Sequence, residues 1–314
     1  MWSAGQRYQI GFREITGTVP VFHPDVRVWE VVDTPSNTHR GLFYFDTFAR
    51  SGKRSGAWAS HYRSQRRLDE GATPLVSNNN NFLKGRPGEP VLVSLDDTRT
   101  LFHEFGHSLH ALLQDVTYEG VAGTPRDFVE LPSQIMENWT WEREALDLFA
   151  RHHETGAPIP EDLFQRMRAA RNFRSASATM RQVAFAKLDL LLHRRAAEFA
   201  AAPDLEAAAR AAIADCLIPT QPPAPTILRR FTHIFGDPVG YAAGYYSYKW
   251  AEVLEADAFG RFRREGLFNP AVGAEFVRTI LSRGNSAPAA DLFREFMGRD
   301  PDPTALLERA GLAG

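Results

Sequence analysis

The stretch Leu101-Phe102-His103-Glu104-Phe105-Gly106-His107-Ser108-Leu109-His110 sets H-E-x-x-H among apolar residues at helical spacing, with Leu112 continuing the apolar face. Four residues advance an α-helix by roughly 400°, so His103 and His107 project from one face, one turn apart. Two imidazoles so placed suit a single metal ion. Glu104 lies about 100° round from His103, beside such an ion rather than on it. A carboxylate there can accept a proton from a water whose pKa zinc lowers to about 7. A helix can carry His, Glu and His by coincidence. Here the apolar flanks place it in a core, where unpaired His and Glu are costly. A purely structural zinc site leaves Glu104 without a purpose. The pattern predicts a hydrolytic site with one zinc ion per chain.

A catalytic zinc takes three protein ligands and leaves one position open. His110 shares the face of His103, but three donors on one straight helix spread over about 10 Å and do not surround an ion. The metzincin spacing is also absent, since the positions that would carry its Gly and third His hold His110 and Leu113. His110 is expected to be a wall or hydrogen-bonding residue. Thr124 to Gln134 reads as a second helix capped by Thr124, with Pro125 at its first position and Asp127 in its first turn. It offers Glu130 as the third ligand. A surface carboxylate is the plainer reading of Glu130, and spacing alone leaves both open. Asp127, Gln134 and Glu137 are candidates to orient a ligating histidine. Pro132 inside this expected helix breaks a local rule, as functional sites tend to do.

Upstream of the motif the pattern is mixed. Val26 to Val32 and Gly41 to Asp46 are rich in β-branched and aromatic residues and flank the turn formers Asp33-Thr34-Pro35-Ser36-Asn37, which predicts an antiparallel hairpin. Asn78-Asn79-Asn80-Asn81 reads as a polar turn and Pro90 to Leu95 as a third strand. From Asp96 onward the spacing is helical, with Asp97 or Thr98 as the first cap. Further helices are expected over 160–174, 177–201, 204–214 and 245–264, with one or two more over 288–310. The proline-rich run Ile218 to Pro225 is expected as an extended connector. The fold class is therefore mainly α (α+β): a single domain over 1–314, with a small antiparallel-containing sheet in 1–96 and a helical part, carrying the metal site, over 97–314.

The chain has 314 residues and a net charge of −2, and its composition excludes disordered, collagen-like and coiled-coil proteins. Lys53, Lys84, Lys187 and Lys249 are its only lysines among 36 basic residues, and acidic residues are interleaved throughout, so nucleic acid is not expected as a partner. No apolar run reaches the roughly 20 residues of a bilayer crossing. No secretory pattern opens the sequence, and the lone Cys216 excludes an internal disulfide framework. A cytoplasmic setting is the expectation.

The motifs Phe102 to His107, Asp127 to Gln134 and Gly240 to Trp250 together resemble the M3 family of zinc peptidases, and so do Val21 to Arg27, Gly52 to Trp58 and Ile280 to Ser286. The resemblance covers nearly the whole chain, which corresponds to the catalytic C-terminal half of that family. It implies a zincin-like helical catalytic domain that hydrolyses peptide bonds of short oligopeptides. It further implies His103, His107 and Glu130 as zinc ligands and Glu104 as general base. Tyr241, Tyr245 and Tyr248 would hold the substrate carbonyl and stabilise the oxyanion, and His233 would contact substrate across the longer loop Phe235 to Gly240. Without the family, aromatics and glycines between Tyr241 and Trp250 read as close helix packing. Typical members also carry a helical N-terminal half that forms one wall of a deep channel. With one wall absent, looser selection of substrate length and an exposed apolar face favouring a homo-oligomer are expected. Extended substrate is expected to pair with a strand inside 41–48 or 90–95. The rival reading is a peptide-binding pseudoenzyme that keeps the zinc.

Overall fold

The computed structural model describes residues 1–86 and 88–312. Its N-terminal part is a sheet of five strands: β1 Ile10–Glu14, β2 Arg27–Asp33, β3 His39–Phe48, β4 Trp58–Arg63 and β5 Leu75–Phe82. Their order is β1-β2-β3-β5-β4, with β3 and β5 parallel and the other pairs antiparallel. The expected hairpin is β2–β3, in register from Arg27 opposite Phe45 to Val31 opposite Gly41. Alternation along these strands turns Trp29, Val31, Phe43 and Val76 onto one face, where they share a core with Phe105, Leu109 and Leu112 of the helix α2, Leu95–Leu113. The Phe43 and Phe105 rings meet edge to face at 5.3 Å.

Four local expectations are corrected. The asparagine run is not a turn but the interior of β5, between β3 and β4. Three of its four amides find protein partners: Asn78 reaches Ser108 Oγ of α2 (2.6 Å), Asn79 donates to Trp58 O (3.0 Å), and Asn81 donates to Arg54 O and Gly56 O (2.8 and 2.7 Å), while the buried Asn80 amide has none among the described residues. Pro90 to Leu95 is not a strand but a connection that leads into α2, where Leu95 is already helical. The cap is Ser94, in a reciprocal capping box with Asp97, rather than Asp97 or Thr98. Thr124 to Glu130 is a series of turns, and the next helix, α3, spans Leu131–Glu137. Pro132 is therefore its second residue, where a missing N–H costs nothing, and not a break within a helix.

The substrate-pairing expectation also changes. β3 is bordered by β2 and β5, and its main chain is already paired. Among the described residues the sheet edges are β1 and β4; β4 runs alongside α2, and β1 touches it through the Phe12 and Phe105 rings (5.8 Å).

The rest is helical, as expected. Residues Ser175–Arg194 and Ala196–Ala200 form two helices where one was expected, Leu205–Ala212 is capped by Asp204, and Ser247–Glu265 is followed by Pro270–Phe276, which was not expected, and by Ala289–Met297 and Thr304–Arg309. Residues 218–225 form no regular structure. The main core joins residues from Ala4 to Phe296, so the C-terminal helices close over the same apolar centre as the sheet.

One contact positions everything that follows. A Cβ on Gly106 would lie 2.2 Å from Pro132 O and 2.5 Å from Ser133 Cα, so α2 and α3 approach backbone to backbone. Gly106→Ala is expected to force them apart and destabilise the fold by about 1–3 kcal/mol. Urea denaturation measures this, and an unchanged midpoint would mean that the approach is not tight.

Candidate active site

The close crossing of α2 and α3 brings Glu130, at the N-terminal boundary of α3, against the histidine face of α2. Glu130 Oε2 lies 3.3 Å from His103 Nε2 and 3.3 Å from His107 Nε2. Ligand atoms of all three residues fall within 4.8 Å of one another. His103 Nδ1 lies 2.7 Å from Glu137 Oε1, at the far end of α3. A carboxylate can only accept, so the Nδ1 proton points to Glu137, and a cation that displaces the Nε2 proton shared with Glu130 would meet the Nε2 lone pair. Two imidazole nitrogens and a carboxylate oxygen then converge. This donor set fits a tetrahedral divalent cation with one open position.

Glu130 is itself held from two sides. Tyr241 donates its phenol hydrogen to Oε1 (2.8 Å), and Ser133 Oγ lies 2.9 Å from Oε2. Burial pushes the Glu130 carboxyl up, but hydrogen bonds from His103 and His107 outweigh it and hold the group far below the usual carboxylate range. Burial likewise pulls His103 down, yet Glu130 and Glu137 raise it to about 10.

Glu104 is buried on the flank of the cluster. Burial holds its carboxyl above the usual range, against the pull of His103 and His107 and of the Ala59 main-chain N–H on β4. His110 does not join the metal cluster. It is buried deeper along α2, and burial, with His107 and His61 beyond it, pushes it down to about 3, so it stays neutral.

The tyrosine segment arrives from the far end of the chain. Tyr241 stacks on Tyr248 at 4.9 Å, under the Arg126 guanidinium at 4.5 Å. Burial and Glu130 push the Tyr241 phenol up to about 12. Burial, Tyr241 and Glu130 raise Tyr248 further still, so both remain hydrogen-bond donors. The Tyr245 phenol instead donates to Gln182 (3.0 Å) on the Ser175–Arg194 helix. His233 sits beside three of these rings, 5.5 Å from Tyr245, 6.2 Å from Tyr248 and 6.3 Å from Tyr241. A cleft of about 820 Å³, lined by Gln134, Glu137, His233, Tyr245 and Tyr248 among others, opens here.

Of the three candidates to orient a histidine, only Glu137 does so; Asp127 accepts from Tyr246 (3.1 Å) and Gln134 donates to the Tyr248 carbonyl (3.3 Å). Sequence reasoning missed Ser133, Arg126, Gln182 and the β4 residues Ala59 and His61. Ser133 had a signal, since it follows Glu130 by one helical turn. The others had none, because each depends on an element distant in sequence.

An H-E-x-x-H helix packed under a small sheet, with a carboxylate delivered by the next helix, defines a zincin-like fold. The model of peptidase family M3 matches residues 2–312, and the chain belongs to this family. It is 44% identical over 301 residues to oligopeptidase A of Escherichia coli, covering 94% of this chain and 44% of that protein. It is 39% identical over 318 residues to the dipeptidyl carboxypeptidase of the same organism, covering 99% and 45%. The chain thus spans less than half the length of these curated relatives. Among solved structures it resembles PZ peptidase A with inhibitor 2, at TM-score 0.56 and 18% identity over 85% of this chain and 42% of that one, a likeness of fold.

Removing the carboxylate that orients His103, by Glu137→Ala, is expected to weaken binding of Zn2+ by about 10–100-fold. Calorimetric titration with zinc checks this. Parental affinity in that variant would show that the ring needs no such support.

Proposed function

We propose that the chain is a zinc-dependent metallopeptidase domain that hydrolyses peptide bonds of short oligopeptides. The observation that carries this reading is the convergence of His103, His107 and Glu130 beside the buried Glu104, in a chain of family M3. The relatives named oligopeptidase A and dipeptidyl carboxypeptidase support peptide bonds as the target. In this reading one zinc ion is held by His103 Nε2, His107 Nε2 and Glu130. Bound zinc supplies Lewis acidity toward a carbonyl and lowers the pKa of water to about 7.

The protein's own groups do the rest. Glu104 takes a proton from the attacking water and later gives it to the leaving amine nitrogen. Burial, which raises its affinity for a proton, suits it to that exchange. Tyr248, with Tyr241 stacked against it, donates its phenol hydrogen to the carbonyl oxygen as negative charge develops there. Tyr245 sets the packing of that pair from behind, and His233 contacts substrate from the cleft wall. Extended substrate adds to the outer edge of β4, whose Ala59 lies beside Glu104. Main-chain pairing of that kind is indifferent to side chains, so broad sequence tolerance follows. The same reading takes the chain as one catalytic domain working in the cytoplasm. None of its described helices is long and apolar enough to cross a membrane.

Glu104→Gln is expected to retain zinc and lose turnover of a quenched fluorescent peptide, whereas Glu130→Ala should lose both. Full zinc affinity in the Glu130→Ala protein would overturn the ligand assignment. Tyr248→Phe keeps the ring and removes only the donor, so kcat should fall by roughly 10²–10³ at constant zinc content. Unchanged kcat would transfer the oxyanion role to Tyr241 or Tyr245.

A further inference from the structure

The turn that carries the tyrosines is held by a residue that no step above uses. Asp189, on the Ser175–Arg194 helix, is fully buried, and its side chain is enclosed by the tyrosine segment. Its Oδ1 accepts from the main-chain N–H of Ala243 (2.9 Å), and its Oδ2 accepts from that of Tyr245 (2.9 Å). His193, one helical turn on, places Nδ1 3.0 Å from Oδ1 and 2.9 Å from the Asp189 carbonyl. Both of those atoms are acceptors, so Nδ1 carries the proton and completes the set.

The backbone between the two bound amides is not one that a chain adopts unaided. Ala243, between them, has φ 54°, a left-handed value that its Cβ disfavours, and Gly240, three residues earlier, is left-handed too at φ 42°. Successive N–H groups around a left-handed residue form a concavity suited to an anion. Here a side-chain carboxylate fills it. A buried carboxylate without such partners would be costly, so the anion and the strained turn stabilise each other.

We propose that Asp189, oriented by His193, is a positioning residue for the reaction: it locks the 240–246 turn in the one conformation that stacks Tyr248 on Tyr241 and aims Tyr241 at Glu130. The proposal rests on the peptidase reading above for its catalytic consequence, but the clamp itself does not depend on it. Tyr245 couples the clamp to Tyr248. Its N–H is bound to Asp189, its phenol to Gln182 on the same helix, and its ring packs 5.3 Å from Tyr248. The helix thus holds both ends of Tyr245, and Tyr248 is seated against the result.

Asp189→Asn tests this, because an asparagine of the same shape offers one acceptor and turns an NH2 group toward a main-chain N–H. Hydrogen exchange on the metal-free protein should show the 243 and 245 amides exchanging about 10–100-fold faster. With zinc bound, kcat should fall by about 10–100-fold with KM and zinc content unchanged. In a Tyr248→Phe background the same substitution should cost less than about threefold, since both changes remove one function. Unchanged exchange, unchanged kcat, or losses that multiply in full in the double variant would each overturn the proposal. If Tyr248→Phe alone has no effect, the oxyanion assignment fails, and exchange at 243 and 245 still decides the clamp. Should Asp189→Asn not fold, His193→Ala, which alters a partly exposed ring, is judged by the same readouts, with acceleration of about 3–10-fold expected.

Discussion

The site depends on the absence of one methyl group. With no Cβ at Gly106, the Pro132–Ser133 backbone rests directly on α2, within one turn of both His103 and His107. Any side chain there would move α3 outward, and with it Glu130, Ser133 and Glu137. Those three residues meet the histidines at 2.7–3.3 Å either directly or through Glu130. Atomic clearances of that size leave no slack for an added carbon. The turns over Thr124 to Glu130, rather than a continuous helix, let Glu130 swing into line at the start of α3.

Around that contact the protein assembles two polar layers of opposite character. On the α2–α3 side lie the metal-ligand candidates: Glu130, kept ionised by the histidines, and two imidazoles, of which His103 has its outer proton fixed by Glu137. On the tyrosine side lie donors that burial prevents from ionising, Tyr241 and Tyr248. Tyr241 links the two through its bond to Glu130. In the proposed reaction a cation takes the first layer and a developing oxyanion the second. Glu104 lies beside the first layer on α2, where burial makes a proton easier to hold. The edge strand β4 closes the arrangement by bringing the Ala59 main chain to Glu104, and its outer edge is available to an extended peptide.

Much of this was legible in the sequence because it is local. H-E-x-x-H within an apolar helix needs only the helical period, and the β2–β3 hairpin needs only alternation and a turn. The asparagine run was misread because a strand may carry a polar stretch when most of its amides find protein partners, and those partners, Ser108, Trp58 and Arg54, lie far off in the chain. Pro90 to Leu95 has the composition of a strand but finds no neighbour to pair with, and Ser94 is instead committed to capping α2. Pro125 and Pro132 are both plausible helix starts by propensity. The Gly106 contact, invisible in composition, favours the second. Asp189 carried no signal at all, since its partners are main-chain amides of a turn that the sequence presents only as aromatics and glycines.

The central claim is that two helices, pressed together at Gly106, present two imidazoles and one carboxylate to a single ion. X-ray absorption spectroscopy of the zinc-loaded chain addresses it most directly. The account predicts a four-coordinate centre with two imidazole nitrogens and light oxygen donors at about 2.0–2.2 Å. A shell containing three imidazoles, with His110 or His61 in place of Glu130, or a sulfur from Cys216 at about 2.3 Å, would contradict it.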